Sequence, residues 1–239
     1  MSTYELYYWP TIPGRGEPVR LTFAMAEVAY RDMAREAEDG YALLLSFNAG
    51  EHPEGHPFAP PYLVIEEDGE RTLHWQSAHL CDLVAARHGL YAEADRSRAA
   101  SLGLTLADLM DEAHDTHHPL ATGLYYEDQK DAAQVRAKHF REERIPKFLG
   151  FFESQLDDTG HLVGGRPSPV DAVLWHVREG LRHAFPKAMA SFAGRWPKLD
   201  AMTIADHPPL RAYLDSEGRI PFNEDGIFRR YPELDGAVE

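Results

Sequence analysis

Two periods of apolar residues run along the chain, and the change from one to the other divides it. Tyr4, Leu6 and Tyr8 alternate as a strand with one buried face requires, and Pro10, Pro13, Gly14 and Gly16 forbid its continuation. From Glu17 a helical spacing takes over at Val19, Leu21, Phe23 and Ala24, with Pro18 early enough for the first turn, so a helix is predicted over 17–29. Residues 30–33 begin a short second strand, and a helix is predicted around 41–47, before a stretch rich in Asn, Gly and Pro up to Pro60. Residues 61–65 and 71–75 flank a turn containing Asp68-Gly69 and read as a β-hairpin. Ser77 is the expected N-cap of a helix over 78–87 that carries Leu80, Leu83 and Val84 at helical spacing and closes at His88-Gly89.

Beyond Arg98 strand signals are scarce. Leu102, Leu104, Leu106, Leu109 and Met110 recur at helical spacing in a first helix that Pro119 ends or kinks, followed by helical runs over 135–156 and 170–181. Ser168-Pro-Val-Asp171 supplies an N-cap hydroxyl, a proline at the first helical position and a carboxylate at N3, which together predict a firm helix start. The aromatic and turn-rich stretch from Arg219 to Leu234 is expected to fold back on the core. The fold class expected is an α/β thioredoxin-like N-terminal domain over 1–88, a linker over 89–97, and an all-α helical domain over 98–239.

Composition narrows the function. The formal net charge of −15, from 24 Lys plus Arg against 39 Asp plus Glu, argues against nucleic acid or an anionic membrane as the main partner. A single cysteine, Cys81, excludes an intrachain disulfide framework and reads as a buried core thiol in a reducing, cytoplasmic setting. There is no N-terminal signal pattern and no apolar run of membrane-spanning length.

The strand ending Tyr8-Trp9, then Gly14-Arg-Gly-Glu17, then Val19-Arg-Leu21, resembles the start of cytosolic glutathione S-transferases of the tyrosine type, bacterial-like in form. Gln76-Ser77 at a helix start, Pro61 after the loop, and the Ser168-to-Asp171 cap after Leu162-Val-Gly fall where that family places similar stretches. The resemblance implies a glutathione transferase that activates the glutathione thiol for attack on a small apolar electrophile, with glutathione as co-substrate and no further cofactor or metal. A homodimer, and a role in detoxification, are implied in the same way. A non-catalytic binding or carrier protein on the same fold, or a glutathione-dependent isomerase or peroxidase, are the alternatives.

Only about 3% of a free thiol is ionised at neutral pH, and lowering its pKa by about two units takes roughly 2.7 kcal/mol, the size of one charge-assisted hydrogen bond aided by a helix N-terminus. By resemblance Tyr8 is the hydrogen-bond donor. The stretch from Tyr8 to Gly14 is one residue longer than in related classes, which leaves Thr11 as a second candidate. Arg15, Pro60, Pro61, Gln76 and Ser77 are the implied glutathione-binding residues, with Asp111 reaching the site of a dimer partner. Pro60 has no N–H, so only its carbonyl can pair with the cysteinyl backbone of the peptide. No Lys or Arg lies between Glu36 and Glu70 to hold the glycine carboxylate, for which Arg35, His52 and His56 are substitutes.

Asp111, His114, Asp115 and His118 fall on one face of a continued helix, at spacings of three and four. They read as a lining for the electrophile pocket, as a buried hydrogen-bond network, or as metal ligands. Tyr125 and Tyr126 are further candidates for the second-substrate pocket.

Overall fold

The computed structural model describes residues 2–238. Four strands form one mixed sheet: β1 (Thr3–Tyr7), β2 (Arg31–Asp32), β3 (Tyr62–Glu67) and β4 (Glu70–Trp75), in the order β2-β1-β3-β4. β1 runs parallel to β2 and antiparallel to β3, with Leu6 opposite Leu63 and Tyr7 opposite Tyr62. Asp68 and Gly69 both take positive φ, 53° and 84°, so the hairpin closes through the left-handed turn its twist favours.

The strand alternation sorts side chains to two faces. Tyr4, Leu6, Leu63 and Ile65 pack with Val19 and Phe23 of α1 (Glu17–Ala26) and with Leu80 and Val84 of α4 (Ser77–Arg87). Tyr7, Tyr62 and Val64 face the other way, against α2 (Met33–Glu36) and α3 (Gly40–Asn48), where Leu44 and Phe47 are fully buried. Helix α1 ends three residues before the expected position because Glu27 adopts a left-handed φ of 52° and turns the chain toward β2.

All strands among the described residues lie before Gln76; the remainder is helical. α5 (Glu93–Asp115) starts inside the segment expected as linker and is followed by α6 (Lys130–His139), α7 (Ile145–Gln155) and α8 (Pro169–Ala184). The single helix expected over 135–156 is interrupted by a wide turn at Phe140–Arg144, just before Pro146, whose ring removes one backbone donor. Short helices α9 (Pro186–Ser191), α10 (Pro197–Asp200) and α11 (Pro208–Leu214) lead to a tail without long elements. The start of α8 forms as expected: Asp171 is fully buried, and its carboxylate accepts from the Ser168 amide at 3.0 Å, the Ser168 hydroxyl at 2.6 Å and the Leu162 amide at 2.8 Å.

Helix α1 joins the two halves, since Leu21 and Met25 on its outer face pack with Ala172 of α8 and Leu210 of α11. Beside this seam Glu17, fully buried, accepts from Arg219 at 2.6 Å and from Tyr213 at 2.9 Å, and the buried Arg20 reaches Asp32 at 2.8 Å. The tail folds back as expected: Phe222 stacks on His176, the Phe228 ring sits in the space left by Gly180, and Asn223 donates to the Thr11 carbonyl at 2.8 Å.

Candidate active site

The strand β1, the loop after it and the start of α1 form a tight corner. Tyr8 is only 4% exposed, and its hydroxyl oxygen accepts the Arg15 amide at 2.7 Å. Its ring is covered by glycine backbone: a methyl group on Gly14 would lie 2.1 Å from the Tyr8 hydroxyl, and one on Gly16 2.6 Å from the ring. Gly14 also has a φ of +42°, so two independent constraints require glycine there. Burial raises the Tyr8 pKa, against the opposing pull of the Arg15 amide and the Arg15 and Arg20 charges. The phenol therefore keeps its proton at neutral pH, and with its oxygen already accepting from Arg15 that proton is the group left to donate.

Next to this corner lies a cleft of about 500 Å³ between the N-terminal domain and α5. Arg15, Pro60, Pro61, Gln76, Ser77 and Asp111, widely separated in the sequence, all line it. The Pro60-Pro61 peptide is cis, as the resemblance implies. Gln76 has a φ of +75°, uncommon for a residue with a side chain, and it sits between β4 and the first residue of α4. Ser77 proves to be that first helical residue rather than the cap, because Gln76 makes the turn into the helix; its hydroxyl donates to the Arg15 carbonyl at 2.7 Å. Arg15 is thus held through its backbone by both Tyr8 and Ser77. The Arg15 guanidinium meets Asp111 of the same chain at 2.5 Å. Opposite Ser77 and Ala78 of α4, the wall formed by α5 presents small residues, Ala99, Gly103 and Ala107, which make the room.

Neither Tyr8, the expected hydrogen-bond donor, nor Thr11, His114, His118, Tyr125 and Tyr126, expected around the second substrate, is among the residues lining this cleft. Tyr8 lies buried beside it, and Thr11 is exposed, paired with the Tyr41 hydroxyl at 2.8 Å. Tyr126 is a core residue, 2% exposed, stacked on Tyr231 at 3.9 Å and donating to Glu233. Tyr125, 78% exposed, caps a short helical turn. Neither His114 nor His118 lines the cleft, and His118 leaves the helical face for a local reason: α5 stops at Asp115, and the Thr116 and His117 amides close tighter turns onto Ala113 and His114. The face predicted for a continued helix is therefore broken, and His117, absent from the expected set, turns in beside His114 and His118. The signal for this was Pro119, which disfavours helical geometry at the residue before it.

Arg35 donates to the carbonyls of Glu217 and Gly218, and His52 stacks on Phe47, so both carry structural contacts. Cys81 lines the cleft, and burial of its thiol pushes the pKa up to about 12, so it is not a thiolate at neutral pH. Sequence reasoning did not place Asp82 or Tyr91 in the cleft wall, because only the docking of α5 on α4 puts them there.

A thioredoxin-like sheet followed by an all-helical domain, with a cleft between them, is the architecture of the glutathione S-transferases. Residues 114–217 match the family described as glutathione S-transferase, C-terminal domain. Among solved structures the chain is similar to a sigma-class glutathione S-transferase of Fasciola hepatica, at 18% identity and a TM-score of 0.68, covering 92% of this chain and 99% of the other. It is similar also to the monomeric Na-GST-3 of the hookworm Necator americanus, at 21% identity and 0.64, covering 92% and 100%. A third is prostaglandin synthase D of Nilaparvata lugens, at 16% identity and 0.66, covering 92% and 100%. No curated protein matches the chain. The chain thus has the fold of the cytosolic glutathione S-transferases over nearly its whole length. No helix among the described residues is long and apolar enough to cross a membrane.

Proposed function

We propose that the cleft binds glutathione and that the chain is a glutathione transferase, using Tyr8 to hold the thiolate for attack on a small apolar electrophile. The observation that carries this reading is the convergence of Arg15, Pro60, Pro61, Gln76, Ser77 and Asp111 on one cleft beside the Tyr8 corner. In this reading Gln76, Ser77 and the N-terminal amides of α4 receive the γ-glutamyl carboxylate, Asp111 takes the ammonium, and the Pro60 carbonyl pairs with the cysteinyl N–H. Tyr8 contributes the proton that its buried hydroxyl retains. The bond formed is from sulfur to the electrophile, and a leaving group or an added proton completes the balance. Isomerisation and peroxide reduction start from the same thiolate.

The tyrosine-type assignment rests on Tyr8; the bacterial likeness finds no support in structures from a fluke, a hookworm and an insect. A cytoplasmic location accords with the single, high-pKa cysteine. Dimerisation remains part of the proposal, with Asp111 acting within its own chain.

A carrier without catalysis is the second reading, favoured by the burial of Tyr8 and the missing N–H at Pro60. The deciding measurement is the thiolate absorbance of bound glutathione against pH, in wild type and Tyr8→Phe at ligand saturation. A bound thiol pKa well below that of free thiol, restored to the free value in Tyr8→Phe, is expected for the transferase. Binding with no shift assigns the carrier, and a shift that survives the substitution removes Tyr8 as the donor.

A further inference from the structure

We propose that His114, His117 and His118 form a site for a divalent transition-metal ion of the zinc, cobalt or nickel kind. One ring nitrogen from each residue lies within 4.8 Å of one from each of the others. Ligand nitrogens about a tetrahedral zinc ion, each roughly 2.0–2.1 Å from the metal, lie about 3.3 Å apart, so side-chain rotations must draw the rings together by up to about 1.5 Å to close the set.

The hydrogen bonds fix which nitrogens are free. His117 Nε2 faces the Ile227 carbonyl at 2.9 Å, and His118 Nδ1 faces the Leu124 carbonyl at 3.0 Å. A carbonyl oxygen only accepts, so both of those ring nitrogens carry the proton, leaving His117 Nδ1 and His118 Nε2 with lone pairs. A histidine that donates one N–H to a backbone carbonyl while offering the other nitrogen is the arrangement that orients imidazoles around metals. His117 is 1% exposed, and its Nδ1 is buried without any partner, a position that costs free energy unless something occupies the lone pair. The His114 ring makes no hydrogen bond among the described residues and stacks on His118 at 4.7 Å, so rotating it toward a shared ion gives up that stack but no hydrogen bond.

Charge around the cluster is mixed. Arg15 and Arg229 bring positive charge toward it, while Asp115 lies 4.0 Å from His114 Nδ1. Arg229 is drawn away toward the carbonyls of Gly226 and Asp225. Three imidazoles match the ligand number that leaves a fourth position on zinc open to water or another ligand. The cluster begins one helical turn beyond Asp111, at the end of α5 away from the Gly103 wall, and the proposal does not depend on the glutathione reading.

The test uses the full chain freed of metal by a chelator and titrated with Co²⁺, followed by its visible ligand-field absorption, and with Zn²⁺ by calorimetry. One equivalent should bind with a Kd of roughly 1 µM or tighter, giving the intense spectrum of a low-coordinate cobalt. His114→Gln/His118→Gln, which spares the buried His117, should weaken binding at least a hundredfold while melting cooperatively. Zn²⁺ should raise the unfolding temperature of the wild type and not of that variant. Failure of the wild type to bind one equivalent, or equal binding by the variant, overturns the proposal.

Discussion

The Asp111 carboxylate of α5 meets the Arg15 guanidinium of the Tyr8 corner at 2.5 Å within a single chain. This pair ties the helical domain to the loop that opens α1, across the mouth of the cleft. The two side chains are 39% and 61% exposed, so water screens the pair and its contribution to stability is below about 1 kcal/mol. Asp111→Ala should leave the unfolding transition nearly unchanged and weaken glutathione binding about tenfold, or roughly 1.4 kcal/mol. Calorimetric titration of both proteins checks this; tighter binding by the variant would show that Asp111 competes with the peptide for Arg15.

A methyl group at Gly14 meets the Tyr8 hydroxyl and also a backbone φ of +42°. Gly14→Ala should cost about 1–3 kcal/mol in urea unfolding and displace the Tyr8 phenol to which the proposed thiol activation is assigned. Gly69→Ala in the β-hairpin turn is the informative control, since it too has positive φ but open space around it. If the two variants lose equal stability, the Tyr8 contact has no special weight.

His176 is fully buried, accepts from the Arg219 guanidinium at 3.3 Å through Nδ1, and stacks on Phe222. Burial, with Arg219 and Arg20 close by, holds its pKa well below the ordinary value. The unfolded chain therefore takes up a proton near pH 6.5 that the folded chain refuses. Stability from this group is fully present above the unfolded pKa and is lost as pH falls below it, by about 1.4 kcal/mol per pH unit. Urea unfolding at stepped pH values between neutrality and mild acid should show His176→Gln with a slope shallower by that amount; parallel slopes would contradict it.

Arg219 satisfies the buried Glu17 at 2.6 Å. Arg219→Met leaves that carboxylate with Tyr213 and the more distant Arg20, and should cost about 3 kcal/mol in thermal or denaturant unfolding. Glu17→Gln/Arg219→Met should recover part of the loss, because the stranded charge is gone. A single variant as stable as wild type would show that Arg20 alone suffices.

What could be read from the sequence was local. The β1 alternation, the Asp68-Gly69 hairpin and the Ser168-to-Asp171 cap each depend on neighbours within a few residues, and each formed. Arg15, Pro60, Pro61, Gln76 and Ser77 were named through the resemblance to a known family, and the structure brings them to one cleft. Other features depended on partners far away in sequence. Asp82 and Tyr91 enter the cleft only through the docking of α5, and Arg35 is engaged by carbonyls at 217 and 218. The histidine cluster was missed by a single turn: extending α5 to His118 gave the wrong face, and the tighter turns before Pro119 substituted His117.

The tail contacts also set an order of events. Glu17 is neutralised by Arg219, and the Thr11 carbonyl is capped by Asn223, so the corner around Tyr8 lacks its partners until residues 219–223 have been synthesised. The corner after β1 is completed only when residues 219–223 have docked on it. Ligand binding would then report the docking of residues 219–223, and would be absent from any nascent chain that stops short of them.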